Sequence, residues 1–276
     1  MAEPGAQDWL RAPCHMEGCK VTDGIMTIGL RIRLMIPLPG CQIAVQTGLR
    51  CICGEIVDLH GRHFASICKK EADFGRLKVH NTLLDLIQEF ARSLDCFSAT
   101  QVFGQTWSDS DNRPDLHIKN NLTNSLKYVD FGCPSPCATR HLTMQNGRSS
   151  SSHALEAAIL YQEEKVEKYA HEVELQFPGE TYHPVTMEAY GAWGPKLKHL
   201  FHSMIDDAGL EPAAKSSVTS YWRMRLSNAM FSGQAEAALA HMARINCDRS
   251  YQPTAHSRHA RKMSYQQALA AGIEDF

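Results

Sequence analysis

Two short apolar segments, Arg113-Pro-Asp-Leu-His-Ile118 and Leu126-Lys-Tyr-Val-Asp-Phe131, each carry one aspartate. Between them stands Lys119-Asn-Asn-Leu-Thr-Asn124, a composition typical of turns. Read as a hairpin, Asp115 opens one strand and Asp130 lies near the end of the next. Both carboxylates then come to the same end of a sheet, within reach of one shared cation.

That juxtaposition has a chemical meaning. Hard oxygen ligands with open positions suit Mg2+ or Mn2+, and such an ion activates water and stabilises charge on a phosphate being cut. Phosphodiester hydrolysis also calls for a protein cation near the attacking water. The segment Tyr161-Gln-Glu-Glu-Lys-Val-Glu-Lys-Tyr-Ala170 offers two, Lys165 and Lys168, spaced to share a helix face, with Tyr169 one turn beyond Lys165. A lysine carried over the sheet edge by this helix occupies the space of one carried on the strand. Taken singly, Arg-Pro-Asp is a common turn, Asp130 a strand-end residue and the lysines a solvated face. Their order, with strands between them, brings them under one chemistry, that of a nuclease.

Working outward, the spacing predicts a helix from Asp23 that ends at the Pro-Leu-Pro-Gly stop of residues 37–40. A second runs from Arg76 to Leu94, with Leu83, Leu84, Ile87, Phe90, Ala91 and Leu94 close to a helical period. Strands are predicted over Ala99–Gly104, Leu116–Ile118, Ser125–Phe131 and His183–Ala189, and helices over His153–Leu175 and Pro195–Ala208, with a helical pattern in the tail after Ser216. The order helix, three strands, helix, strand, helix is a mixed α/β core, its strands too short and too close for a doubly wound parallel sheet. No internal repeat is present.

Between the first two helices lies Cys51-Ile-Cys53, then His60, His63 and Cys68. Three thiolates and one imidazole make a closed tetrahedral zinc site, structural because no position is left for substrate. Gly54 lets the chain turn back so that both sulfurs of Cys51 and Cys53 face one ion. His60 competes with His63 for the imidazole position. Cys14, His15 and Cys19, and the pair Cys133 and Cys137, read as ordinary thiols and histidine.

Composition sets the outer bounds. The chain has 276 residues, 43% hydrophobic and 21% charged, with a formal net charge of −2. A global basic signal for nucleic acid is missing, although a local basic stripe suffices for phosphate contact. The longest apolar run, around Ile25 to Pro39, is broken by Arg31 and Arg33, so no membrane span is expected. Ten cysteines without an export signal point to metal ligands and reduced thiols, hence to a reducing compartment, cytoplasmic or nuclear.

These pieces in this order resemble the carboxy-terminal region of non-LTR retrotransposon (reverse transcriptase) polyproteins that carry a zinc knuckle and a restriction-like endonuclease. The resemblance runs from about Thr22 to about Ala240. It rests on Leu30-Arg-Ile-Arg-Leu, the knuckle Cys51-Ile-Cys-Gly…Asp58-Leu-His-Gly-Arg-His63…Cys68, and Arg76…His80-Asn81. It continues through Arg113-Pro-Asp115, Val129-Asp130-Phe, Lys165…Lys168-Tyr169 and Val185-Thr-Met-Glu-Ala-Tyr-Gly-Ala-Trp-Gly-Pro. The resemblance favours His63 as the knuckle imidazole.

The resemblance implies a PD-(D/E)XK core in which Asp115 and Asp130 bind Mg2+ (or Mn2+) and the usual strand lysine is replaced by Lys165 or Lys168. Position 132, where that strand lysine would stand, is Gly. The implied activity is a hydrolase, an endodeoxyribonuclease that nicks a target DNA duplex. Its catalytic residues are Asp115, Asp130, Lys165 and Lys168, and its knuckle ligands to Zn2+ are Cys51, Cys53, His63 and Cys68. Arg76, His80, Arg113 and Tyr169 are expected at nucleic acid, with Arg31, Arg33 and Arg62 as further phosphate contacts. Element RNA is a second expected partner, and no membrane or small-molecule substrate is expected. The alternative is a catalytically inactive zinc-knuckle remnant that still binds nucleic acid. Two departures stand out: Gln101-Val102 replaces an expected strand glutamate, for which Glu89 is the substitute, and no Tyr/Phe-x-Asp-Asp polymerase motif occurs. The expected division is a helical segment cut from an upstream polymerase at 1–50, the knuckle at 51–70, the nuclease core at 71–210 and a helical tail at 211–276.

Overall fold

A computed structural model describes residues 6–13, 16, 18–51, 53–68, 75–100, 114–143, 149–176 and 181–250. The helices are α1 (Asp23–Arg33), α2 (Pro39–Gln46), α3 (Arg76–Ser93), α4 (Thr139–Leu142), α5 (Glu156–Gln176), α6 (Pro195–Asp207) and α7 (Pro212–Ser250). The strands are β1 (Cys96–Thr100), β2 (Leu116–Asn120), β3 (Leu126–Gly132) and β4 (Thr181–Thr186). The chain forms two compact units, one of Met1–Cys19 with His80–Met230 and one of Lys20–Val79 with Phe231–Phe276.

The first unit is built on a four-stranded mixed sheet in the order β1-β2-β3-β4. The three early strands pair antiparallel, and β3 pairs parallel with β4 across the α5 crossover. This is the mixed α/β arrangement that the order of elements predicts. Strand β3 is flanked on both sides, and Tyr128, Val129, Asp130 and Phe131 are all buried. Successive side chains point to opposite faces, so Tyr128 and Asp130 share one face and Val129 and Phe131 the other. Helix α5 covers the first of these. Its buried residues Ala158, Gln162, Tyr169 and Val173 recur at helical spacing, and Tyr169 and Val173 pack on Tyr128. Lys165 falls on that same inward stripe, whereas Lys168 is exposed. In the core, Phe90 of α3 stacks on Phe201 of α6 at 3.9 Å between ring centroids and meets Trp222 of α7 edge-on.

The second unit contains α1, α2, the cysteine and histidine loop and the later part of α7. Thr22 caps α1 by accepting from the Ile25 amide, and Ile25, Ile28 and Ile32 line its buried face. Burying each of them stabilises by about 1.5–3 kcal/mol. Two readings need correction here. The first helix ends at Arg33, before the prolines, and Pro39 starts α2 rather than closing α1. Proline at the first helical position loses no hydrogen bond and brings its φ preset, so a stop signal for one helix served as the start of the next. The first strand begins at Cys96, three residues before the predicted Ala99, and its predicted end at Gly104 lies outside the described residues. Among the described residues no helix is long and apolar enough to cross a membrane.

Candidate functional site

The knuckle residues come together as a group. The donor atoms of Cys51, Cys53, His63 and Cys68 all lie within 4.8 Å of one another. The Cys51 and Cys68 sulfurs are 3.6 Å apart and Cys53 Sγ is 3.2 Å from His63 Nε2. Tetrahedral zinc with sulfur and nitrogen ligands has edges of roughly 3.5–3.8 Å. The 3.6 Å pair matches, the 3.2 Å pair is slightly short and no separation exceeds 4.8 Å, so small shifts would gather the four donors round one such ion. The hydrogen bond to Cys68, then burial, pushes the Cys51 thiol well up. A divalent cation bound there would displace the thiol protons. The cluster can hold a metal such as zinc.

Two local devices build it. Gly54 has φ +89°, and its amide donates to Cys51 O at 2.8 Å while the Cys51 amide donates to Glu55 O at 2.9 Å, a tight turn that returns Cys53 beside Cys51. Asp58 is the second. Its Oδ1 accepts the amides of His60 and Arg62, each at 3.1 Å, and its Oδ2 accepts the His63 amide at 2.7 Å. This carboxylate aims His63 inward, whereas His60 takes no part in the cluster. The Asp58-x-His-x-x-His spacing is the signal that could have exposed the role of Asp58. On the inner side, Phe64 stacks on His241 of α7, 4.8 Å between rings at 8°, and burial lowers the His241 imidazole to about 4.

The second constellation lies where β2 begins and β3 ends. Leu116 pairs with Val129, so Asp115 stands opposite Asp130. Lys165 Nζ is 2.8 Å from Asp130 Oδ2, and the Tyr182 hydroxyl donates to the same oxygen at 3.1 Å. The Phe131 amide donates to Asp115 Oδ2 at 2.8 Å, and His80 Nε2 is 3.5 Å from that oxygen and 2.9 Å from Phe131 O. Burial pushes the Asp130 carboxyl up, Lys165 pulls it down and the Asp115 charge pushes it up again. Burial disfavours the Lys165 ammonium, yet Asp130 holds its pKa above the ordinary lysine value. For His80, burial works against protonation and the Asp115 contact more than offsets it. Tyr161 and Tyr169 flank Lys165, their ring centroids 5.5 and 5.1 Å from Nζ.

Gly132 leaves no room for a side chain at that point of β3, and the lysine that reaches Asp130 comes from α5. A Cβ at that position would run into the Tyr161 ring. The space of a strand side chain is taken by a phenol one turn before Lys165 on the same helix. Gly132→Ala is therefore expected to destabilise the chain by about 1–3 kcal/mol through overpacking. Urea unfolding would check this, and an unchanged midpoint would contradict the geometry.

The remaining expected residues disperse. Lys168 is exposed, with its ammonium 4.6 Å from the Tyr169 ring centroid and no bond to Asp130. Tyr169 is 5% exposed in the core cluster with Tyr128 and Val173, a core position rather than the expected nucleic-acid contact. Arg76 is exposed at the start of α3. Arg31 donates to Pro37 O, Arg33 lies over Phe231 and Arg62 pairs with Asp58. Glu89, the substitute acid, pairs with Arg225 at 2.8 Å. Arg113, Gln101 and Val102 lie outside the described residues. Sequence reasoning gave Tyr161 and Tyr182 no role. Tyr161 has a signal in the glycine it displaces, and Tyr182 has none in a single sequence.

No protein-family model matches the chain, and no curated protein matches it.

Proposed function

We propose that this chain is a divalent-metal DNA endonuclease of retrotransposon type, with a PD-(D/E)XK-like core and a zinc knuckle that grips or orients nucleic acid. The observation that carries the reading is the convergence of Asp115 at the entry to β2, Asp130 of β3 and Lys165 of the helix that covers them. An acidic pair alone is common on proteins. A pair facing across two strands, with a half-buried lysine at bonding distance from one member, is the constellation that phosphodiester cleavage needs.

Asp115 and Asp130 would hold Mg2+ or Mn2+. The residues fit such an ion, because the two carboxylates repel each other and the described bonds to both fall on Oδ2. The ion supplies water activation and charge stabilisation when bound. The chain does the rest. Lys165 is held charged and aimed by Asp130 and its two aromatic neighbours, so it meets negative charge developing on the phosphate without reorganising. His80 ties α3 to the same strand end and fixes Asp115. The substrate class is one strand of a DNA duplex, with element RNA as a further partner. A knuckle with three cysteine ligands belongs in a reducing compartment, nuclear or cytoplasmic.

The test is supercoiled plasmid incubated with the zinc-loaded chain and Mg2+ or Mn2+. Open-circular product that needs the added ion supports the reading. DNA that is bound and never nicked, in either metal, replaces it with a binding protein built on a nuclease scaffold.

A further inference from the structure

Asp130 takes two donors on one oxygen. Lys165 Nζ at 2.8 Å and the Tyr182 hydroxyl at 3.1 Å both bond Oδ2, and no described residue bonds Oδ1. Tyr182 reaches there from the neighbouring strand. Tyr128 pairs with Tyr182 and Asp130 with Pro184 in the parallel β3–β4 ladder, so the phenol lies diagonally across from the carboxylate on the same face. Its ring is held by the core, edge-on to Tyr169 at 6.3 Å and packed on the Tyr128, Tyr169 and Val173 cluster.

We propose that Tyr182 is a positioning residue: together with Lys165 it saturates Oδ2 of Asp130 and leaves Oδ1 as the single oxygen offered to a metal ion. The inference rests on the nuclease reading above and deepens it. A carboxylate locked in this way binds a cation through one oxygen. Small octahedral ions accept that, whereas Ca2+ also takes carboxylates through both oxygens in larger, looser shells. Tyr182 therefore sets which ion the site prefers, and does so without touching the ion.

The experiment measures metal binding apart from cleavage. The full, zinc-loaded chain is titrated with Mn2+ in the absence of DNA, following free Mn2+ by electron paramagnetic resonance, then competed with Ca2+. Native chain, Tyr182→Phe and Asp130→Asn are compared at a temperature where circular dichroism shows all three folded. Tyr182→Phe keeps the ring and removes one oxygen. It is expected to weaken Mn2+ binding roughly tenfold or more, the usual effect of losing a ligand's hydrogen-bond partner, and to narrow the preference for Mn2+ over Ca2+. A general loosening of structure would leave that preference unchanged. Equal Mn2+ affinity and equal Ca2+ competition in native and Tyr182→Phe chains overturn the role of Tyr182 alone. A native chain with no Mn2+ site sensitive to Asp130→Asn overturns the metal-nuclease reading itself, and this inference with it.

Discussion

Asp130→Ala is expected to abolish metal-dependent nicking, a loss of about 10³-fold or more, and Lys165→Ala to lower it by about 10²–10³-fold. Lys168→Ala is expected to stay close to native. The contrast comes from position. Asp130 is 6% exposed and takes both Lys165 and Tyr182 on one oxygen, so alanine there removes the centre of the arrangement. Lys165 lies on the inward stripe of α5, and a preorganised donor of this kind is typically worth about 2.7–4 kcal/mol at the transition state. Lys168 is exposed, with its ammonium 4.6 Å from the Tyr169 ring centroid. Quantifying open-circular product over time for the three variants, with plasmid retention as a check on binding, separates the two lysines. Equal losses at Lys165 and Lys168 would place both at the phosphate and contradict a special role for Lys165.

The second large effect concerns the knuckle. In a chain loaded with zinc, Cys68→Ser or His63→Ala is expected to lose the metal and melt the unit of Lys20–Val79 with Phe231–Phe276, while His60→Ala keeps about one metal per chain. Structural zinc contributes apparent binding free energies of about 10–16 kcal/mol at neutral pH, more than most small domains have to spare. The Asp58 hydrogen bonds cannot replace that, because each contributes about 1.5–3 kcal/mol at most. Metal content by mass spectrometry, with hydrogen exchange of α1 and α2, reads both parts. Metal retained in His63→Ala would shift the imidazole ligand to His60.

How much of this was legible in the sequence varies by the kind of signal. The β2–β3 hairpin was readable because each aspartate sat at a fixed place in a short apolar run bounded by turn residues, and a period of two fixes which residues share a face. The knuckle was readable from ligand types and spacing. The choice of lysine was not. Lys165 and Lys168 stand equally well on a helix wheel, and only the buried neighbours Ala158, Gln162, Tyr169 and Val173 show which face meets the sheet. Tyr182 was invisible, since its contact with Asp130 spans 52 residues and depends on the parallel register of β3 and β4. The Pro-Leu-Pro-Gly misreading has a plain cause. Proline ends one helix and begins another by the same loss of an amide donor, and local sequence does not say which side is helical.

The cation that meets Asp130 stands on α5 rather than on a strand, and this has a consequence for folding. On a strand, a cation would arrive as soon as the sheet paired. Here it arrives only when a helix docks and closes a contact across 35 residues, so chain closure must come first and the reward later. Intermediates with the sheet formed and α5 undocked would carry the carboxylate pair without its cation. If the proposed nuclease activity holds, it would stay switched off until α5 has docked, and loosening α5, for instance at Val173, would silence it before the sheet comes apart.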